Sequence, residues 1–89
     1  MMLRIELTPG KHKSRIRLSG ELRQGDLEEL KTEMGRDGHP VALDLEEVSL
    51  IDVEGIRFLN ACEAEGIEVL GCAPYIREWM SQERAGQKR

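Results

Sequence analysis

Residues 41–56, VALDLEEVSLIDVEGI, decide how this chain folds. Val41-Ala42-Leu43-Asp44-Leu45 is nearly continuous in apolar side chains, the mark of a strand buried on both faces, as in a parallel sheet covered by helices. The acid pair Glu46-Glu47 interrupts it, and Val48-Ser49-Leu50-Ile51 then leads into Asp52, whose short carboxylate suits a helix N-cap. The helix that follows carries Gly55, Ile56, Leu59 and Cys62 along one face, with Phe58 beside it, and Gly66 terminates it. A strand that turns straight into a helix is the start of a crossover between parallel strands.

Working outward, Leu3, Ile5 and Leu7 alternate with Arg4, Glu6 and Thr8, the period of a half-buried strand. Thr8-Pro9-Gly10-Lys11-His12-Lys13 is a turn by composition, and alternation resumes over Arg15-Ile16-Arg17-Leu18, so the two runs form an antiparallel hairpin. Asp26, with Glu29 three residues on, reads as the capping box of a first helix with the apolar stripe Leu27, Leu30 and Met34. Gly35 would close that helix in a left-handed conformation, and Arg36-Asp37-Gly38-His39-Pro40 makes the next turn. Downstream of Gly66, Ile67-Glu68-Val69-Leu70 is a strand, and Pro74 opens a last helix with the inner face Ile76, Trp79 and Met80. The expected order is β-β-α-β-α-β-α: an α/β fold with a mixed sheet of about four strands, an N-terminal antiparallel hairpin, parallel central strands and three packed helices. Residues 1–80 are expected to form one domain, and residues 81–89, poor in apolar side chains, a frayed polar tail.

Composition narrows the function classes. With 89 residues, 39% of them hydrophobic, the chain has material for one core. Its net charge of −4 repels phosphate backbones, and its basic clusters, Lys11-His12-Lys13 and the terminal Lys88-Arg89, lack interleaved aromatics, so no nucleic-acid partner is expected. No segment approaches the roughly 20 apolar residues of a membrane span, and the first residues lack the charged-then-apolar pattern of an export signal. The expected setting is cytoplasmic, without direct membrane insertion, and with Cys62 and Cys72 reduced.

Residues that could carry chemistry are few. Cys62, Cys72, His12 and His39 show no metal-ligand spacing, so no metal is expected. There is no nucleophile elbow and no glycine-rich phosphate loop, so neither a catalytic residue nor a cofactor is assigned. The acids Glu28-Glu29, Glu46-Glu47, Glu63 and Glu65 read as solvated faces. The start of the helix after Asp52 admits two readings. Its free N–H groups and partial positive charge suit an anion or a docking partner, or Asp52 is only a cap and Gly55 only permits close packing.

The same segment resembles the STAS domain, the fold of bacterial anti-sigma-factor antagonists. The likeness rests on Leu18-Ser19-Gly20-Glu21-Leu22, then Leu43-Asp44-Leu45-Glu46-Glu47-Val48-Ser49-Leu50-Ile51-Asp52, then Gly55-Ile56, and later Gly66-Ile67-Glu68-Val69-Leu70-Gly71-Cys72. It spans residues 3–80, and the family's last strand and helix are expected to be missing. In regulatory members the residue after the Asp is a Ser or Thr that a partner kinase phosphorylates. Here that position is Val53, which has no hydroxyl, and Glu54 follows it; Ser49 and Ser19 are the nearest alternative acceptors. The resemblance implies a non-enzymatic protein-binding module without the phospho-switch at the usual place, with a partner surface of Arg23, Gln24, Asp52, Val53, Glu54 and Arg57. The implied partner is another protein, kinase-like as in anti-sigma factors. The alternative is the ATPase of a bacterial ABC-type lipid transporter, with this chain as its small STAS subunit. A homodimer is a further assembly open to it.

Overall fold

A computed structural model of the chain describes residues 3–35 and 40–87. Two strands come first, β1 (Leu3–Thr8) and β2 (Ser14–Leu22). A 3-10 turn (Gln24–Asp26) leads into α1 (Leu27–Met34), followed by β3 (Val41–Ile51), α2 (Val53–Ala64), β4 (Glu68–Leu70) and α3 (Pro74–Gln87). The sheet order is β1-β2-β3-β4, with the first pair antiparallel and the others parallel. The α/β class, the hairpin and the three helices expected from sequence are all present.

Strand alternation sorts the sheet into two faces. Leu7, Ile16, Leu43 and Val69 stand in register across the four strands, and Ile5 stands opposite Leu18 in the hairpin. These side chains share one apolar cluster with Leu30 of α1, Ile56, Leu59 and Cys62 of α2, and Ile76 and Met80 of α3. The opposite face is charged. Glu6, Arg17 and Asp44 stand in register, and Arg17 lies 3.6 Å from the Asp44 carboxylate. Asp44 is the one acid in the buried run of β3; its Oδ1 accepts the Glu46 N–H at 3.0 Å, and its Oδ2 faces the charge of Arg17.

Several expectations need correction. The strand expected over residues 41–45 continues to Ile51. Glu46 and Glu47 point to solvent, but the backbone ladder to β2 runs on to the Leu22–Ile51 pair, and two register shifts absorb the mismatch. Backbone pairing, which side-chain polarity does not report, holds this half of the strand. Asp26 makes no side-chain cap to α1; its Oδ2 instead accepts the Arg23 N–H at 3.1 Å, closing the 3-10 turn ahead of the helix. Gly35 has φ −93°, so it does not itself close α1 in a left-handed conformation. Residues 36–39, where the sequence places a turn and His39, lie outside the described residues, as do Met1, Met2, Lys88 and Arg89. By contrast α2 ends as expected: Gly66 has φ +89°, and the Gly66 and Ile67 N–H groups bond back to Glu63 and Cys62. That closure consumes Ile67, so β4 begins one residue later than its composition implies.

Residues 81–87, expected as part of a frayed polar tail, are helical: α3 runs from Pro74 to Gln87. What holds them is polar. Arg57, Asn60 and Glu63 line one edge of α2, and α3 answers with Glu83 on Arg57 at 3.0 Å and Arg77 on Glu63 at 2.8 Å. Arg84 donates to Asn60 at 3.1 Å, and the Asn60 amide donates to the Met80 carbonyl at 2.9 Å. Beneath this seam Ile76 and Met80 are fully buried, while Trp79 is half-buried against the rim of the core. Met80→Ala should therefore cost about 2–5 kcal/mol, the range for emptying a packed core position, read as a lowered denaturation midpoint.

Candidate functional site

The end of β2 and the start of α2 meet because the parallel strands β2 and β3 finish at the same end of the sheet, where Leu22 pairs with Ile51. Asp52 makes the join. Its backbone is extended (φ −101°, ψ 177°), its Oδ1 accepts the Gly55 N–H at 2.9 Å as a helix cap, and its Oδ2 accepts the Gln24 N–H at 3.0 Å. Its own N–H donates to the Leu22 carbonyl at 3.2 Å. One carboxylate thus binds the loop after β2 to the first turn of α2. Gly55 is required by closeness: a Cβ there would lie 2.7 Å from Ile51 Cγ1 and 3.1 Å from the Leu22 carbonyl oxygen.

Six positions were expected to form a partner surface, and the structure brings them to one corner of the fold. Arg23 and Gln24 are exposed on the loop, with Arg23 paired to Glu21 at 3.0 Å. Val53 is the first residue of α2 and is half-buried rather than fully exposed, as are Asp52 and Glu54. Arg57 lies one turn further on, committed to Glu83 and, at 3.2 Å, to Glu54. The hydrogen bond and charge of Glu83, followed by the charge of Glu54, raise the Arg57 pKa above the ordinary arginine value. Ser49 is an exposed residue of β3, and its hydroxyl donates to the Gly20 carbonyl at 3.1 Å.

Sequence reasoning missed a groove of about 500 Å³ that begins at Glu54 and Arg57 and runs between α1 and α2. Leu27, Met34, Phe58, Cys62 and Ile67 supply its apolar lining, and Lys31 and Glu65 are charged groups along it. Of the α1 stripe Leu27, Leu30 and Met34 only Leu30 is fully buried, and no feature of the sequence distinguishes it from the other two.

The thiols here are poor nucleophiles. Burial, followed by the charges of Glu65 and Glu63, pushes Cys62 up to about 11, and burial raises Cys72 as well. His12 is exposed on the hairpin loop, and no group of three or more metal-ligating side chains occurs among the described residues. No helix among the described residues is long and apolar enough to cross a membrane.

Solved structures share this architecture. The anti-sigma factor antagonist SpoIIAA in its unphosphorylated form superposes with a TM-score of 0.63 at 21% identity, over 84% of this chain and 79% of that one. A crystal structure of Mglu superposes with a TM-score of 0.54 at 25% identity, over 73% of this chain but only 18% of Mglu. No protein-family model matches the sequence, and no curated protein matches it. The fold is STAS-like, the fold of the SpoIIAA antagonist.

The geometry sets two expected outcomes. Asp52→Ala orphans the Gln24 and Gly55 N–H groups together, and should destabilise the fold by about 1–2 kcal/mol in chemical denaturation, the upper range for losing a helix cap. Cys62 should resist iodoacetamide at neutral pH in the native protein and react once denaturant exposes it, as read by mass spectrometry, because its thiolate is scarcely populated while buried.

Proposed function

We propose that the chain is a non-enzymatic protein-binding module that acts like an anti-sigma-factor antagonist, without a phosphorylation switch at the start of α2. The observation that carries this reading is the Asp52 carboxylate, which joins the Gln24 loop and the first turn of α2 into one continuous surface. Fold likeness to the SpoIIAA antagonist supports protein recognition as the mode of action. At the position after Asp52, where regulatory relatives carry a hydroxyl, Val53 offers only methyl groups, so a kinase has nothing to modify there.

The chemistry of the surface describes its partner. Val53 is a half-buried apolar group flanked by the carboxylates of Asp52 and Glu54, which matches a shallow apolar depression rimmed by basic side chains. Arg57 is neutralised by Glu54 and Glu83, so it acts through the shape and orientation of those carboxylates more than as a free cation. Free thiols at Cys62 and Cys72 suit a reducing cytoplasm.

Val53→Asp tests the reading. An acid at the first position of a helix is favoured by the helix dipole, so the melting curve should stay within a few degrees of wild type. Binding to a partner identified with the wild-type chain as bait should fall about a hundredfold, because the new charge must be desolvated against the apolar depression. Retention of full affinity by both Val53→Asp and Arg57→Ala would move the interface elsewhere and overturn the proposal.

A further inference from the structure

The two edges of the sheet are built differently. β4 is three residues long, packs against α2, and has its Val69 carbonyl accepting from the Arg77 guanidinium at 3.0 Å. β1 is six residues long, runs opposite β2 without a register shift, and has no strand on its other side among the described residues. Exposed edges are usually shortened, bulged or capped with proline, since their unpaired N–H and C=O groups invite another strand. None of these devices interrupts β1. Its inner-face side chains Leu3, Ile5 and Leu7 pack against the rim of the core and are each only half-buried. Its outer face carries Arg4 and Glu6, 75% and 47% exposed and paired with each other at 3.2 Å.

We propose that β1 is a self-association edge: two copies of the chain pair antiparallel through it about a two-fold axis at Ile5, joining two sheets into one. The choice of a second copy rests on the pattern of charge. With the axis at Ile5, Arg4 stands opposite Glu6 of the second copy and Glu6 opposite its Arg4, so both outer-face pairs are of opposite sign. On the inner face Ile5 meets Ile5, and Leu3 and Leu7 meet each other's counterparts, which continues the apolar layer across the seam. Centring on Arg4 would oppose two arginines, and centring on Glu6 two glutamates. Centring on Leu3 or Leu7 shortens the overlap. A slip of one residue would turn the second copy's apolar side chains onto the charged face. One register satisfies charge and face together, which is what an isologous contact requires. The interface is a single strand pair, smaller than standard interfaces, so the dimer is weak and reversible, with a dissociation constant on the order of 10 μM.

Sedimentation velocity from low-micromolar to millimolar chain concentration tests the proposal, with melting curves to confirm that each variant is folded. Wild type should pass from monomer to dimer. Arg4→Glu sets a new carboxylate against Glu6 of the second copy, and Glu6→Arg sets a new guanidinium against its Arg4, each twice per dimer. Either change should weaken association about tenfold or more. An equimolar mixture of the two variants should recover wild-type affinity as a heterodimer, because one copy then carries two acids and the other two bases. Slowed amide exchange in β1 at high concentration provides a second readout should either variant fail to fold. A wild-type chain that stays monomeric throughout, a dimer indifferent to both reversals, or a mixture that does not recover would each overturn the assignment.

Discussion

Where β3 passes into α2 the backbone must leave a sheet and enter a helix within a single residue, and the Asp52 carboxylate makes that possible. One oxygen satisfies a helix N–H that has no intrahelical partner, and the other reaches across to the Gln24 N–H. The register of β2 against β3 feeds into the same point, since the Asp52 N–H extends the ladder to the Leu22 carbonyl. Gly55 lets α2 lie against that junction, where any side chain would collide with Ile51 and the Leu22 carbonyl. Sheet register, helix position and the shape of the proposed binding surface therefore share one anchor.

The helical layer is held in two ways. Toward the sheet, Leu30, Ile56, Leu59, Ile76 and Met80 bury fully, and hydrophobic burial supplies the cohesion. Between α2 and α3 the contact is polar, with Arg57, Asn60 and Glu63 meeting Arg77, Glu83 and Arg84. Each exposed ion pair contributes at most about 1 kcal/mol, but arranged along one seam they select the helical conformation for residues that carry almost no apolar surface. The seam also places Glu83 against Arg57, so the far end of α3 takes part in setting the electrostatics of the proposed surface.

Val53 changes what such a surface can do. A hydroxyl after the N-cap would be a site where charge could be added and removed, and the proposed surface carries a valine at that position. The groove between α1 and α2, which opens beside Glu54 and Arg57, extends the apolar area available to a partner beyond the turn itself.

The alternation in β1 and β2, the buried run Val41–Leu45, the Asp52 cap and the Gly66 closure of α2 were all legible in the sequence. Each depends on side-chain period or on the backbone preference of a single residue, and neighbours in the chain carry that information. The proximity of Arg23 and Gln24 to Asp52 was legible only through a family resemblance. The extension of β3 past Glu46-Glu47, the helical state of residues 81–87, the partial exposure of Leu27 and Met34, and the commitment of Arg57 to Glu83 were decided by tertiary structure. In each of these the deciding partner lies on another element: β2 for the strand, α2 for the last helix, the gap beside α2 for the groove, and α3 for the arginine. Local sequence sets which conformations a segment favours, but these outcomes turn on hydrogen bonds and packing between segments whose distance in the chain says nothing of their distance in the fold.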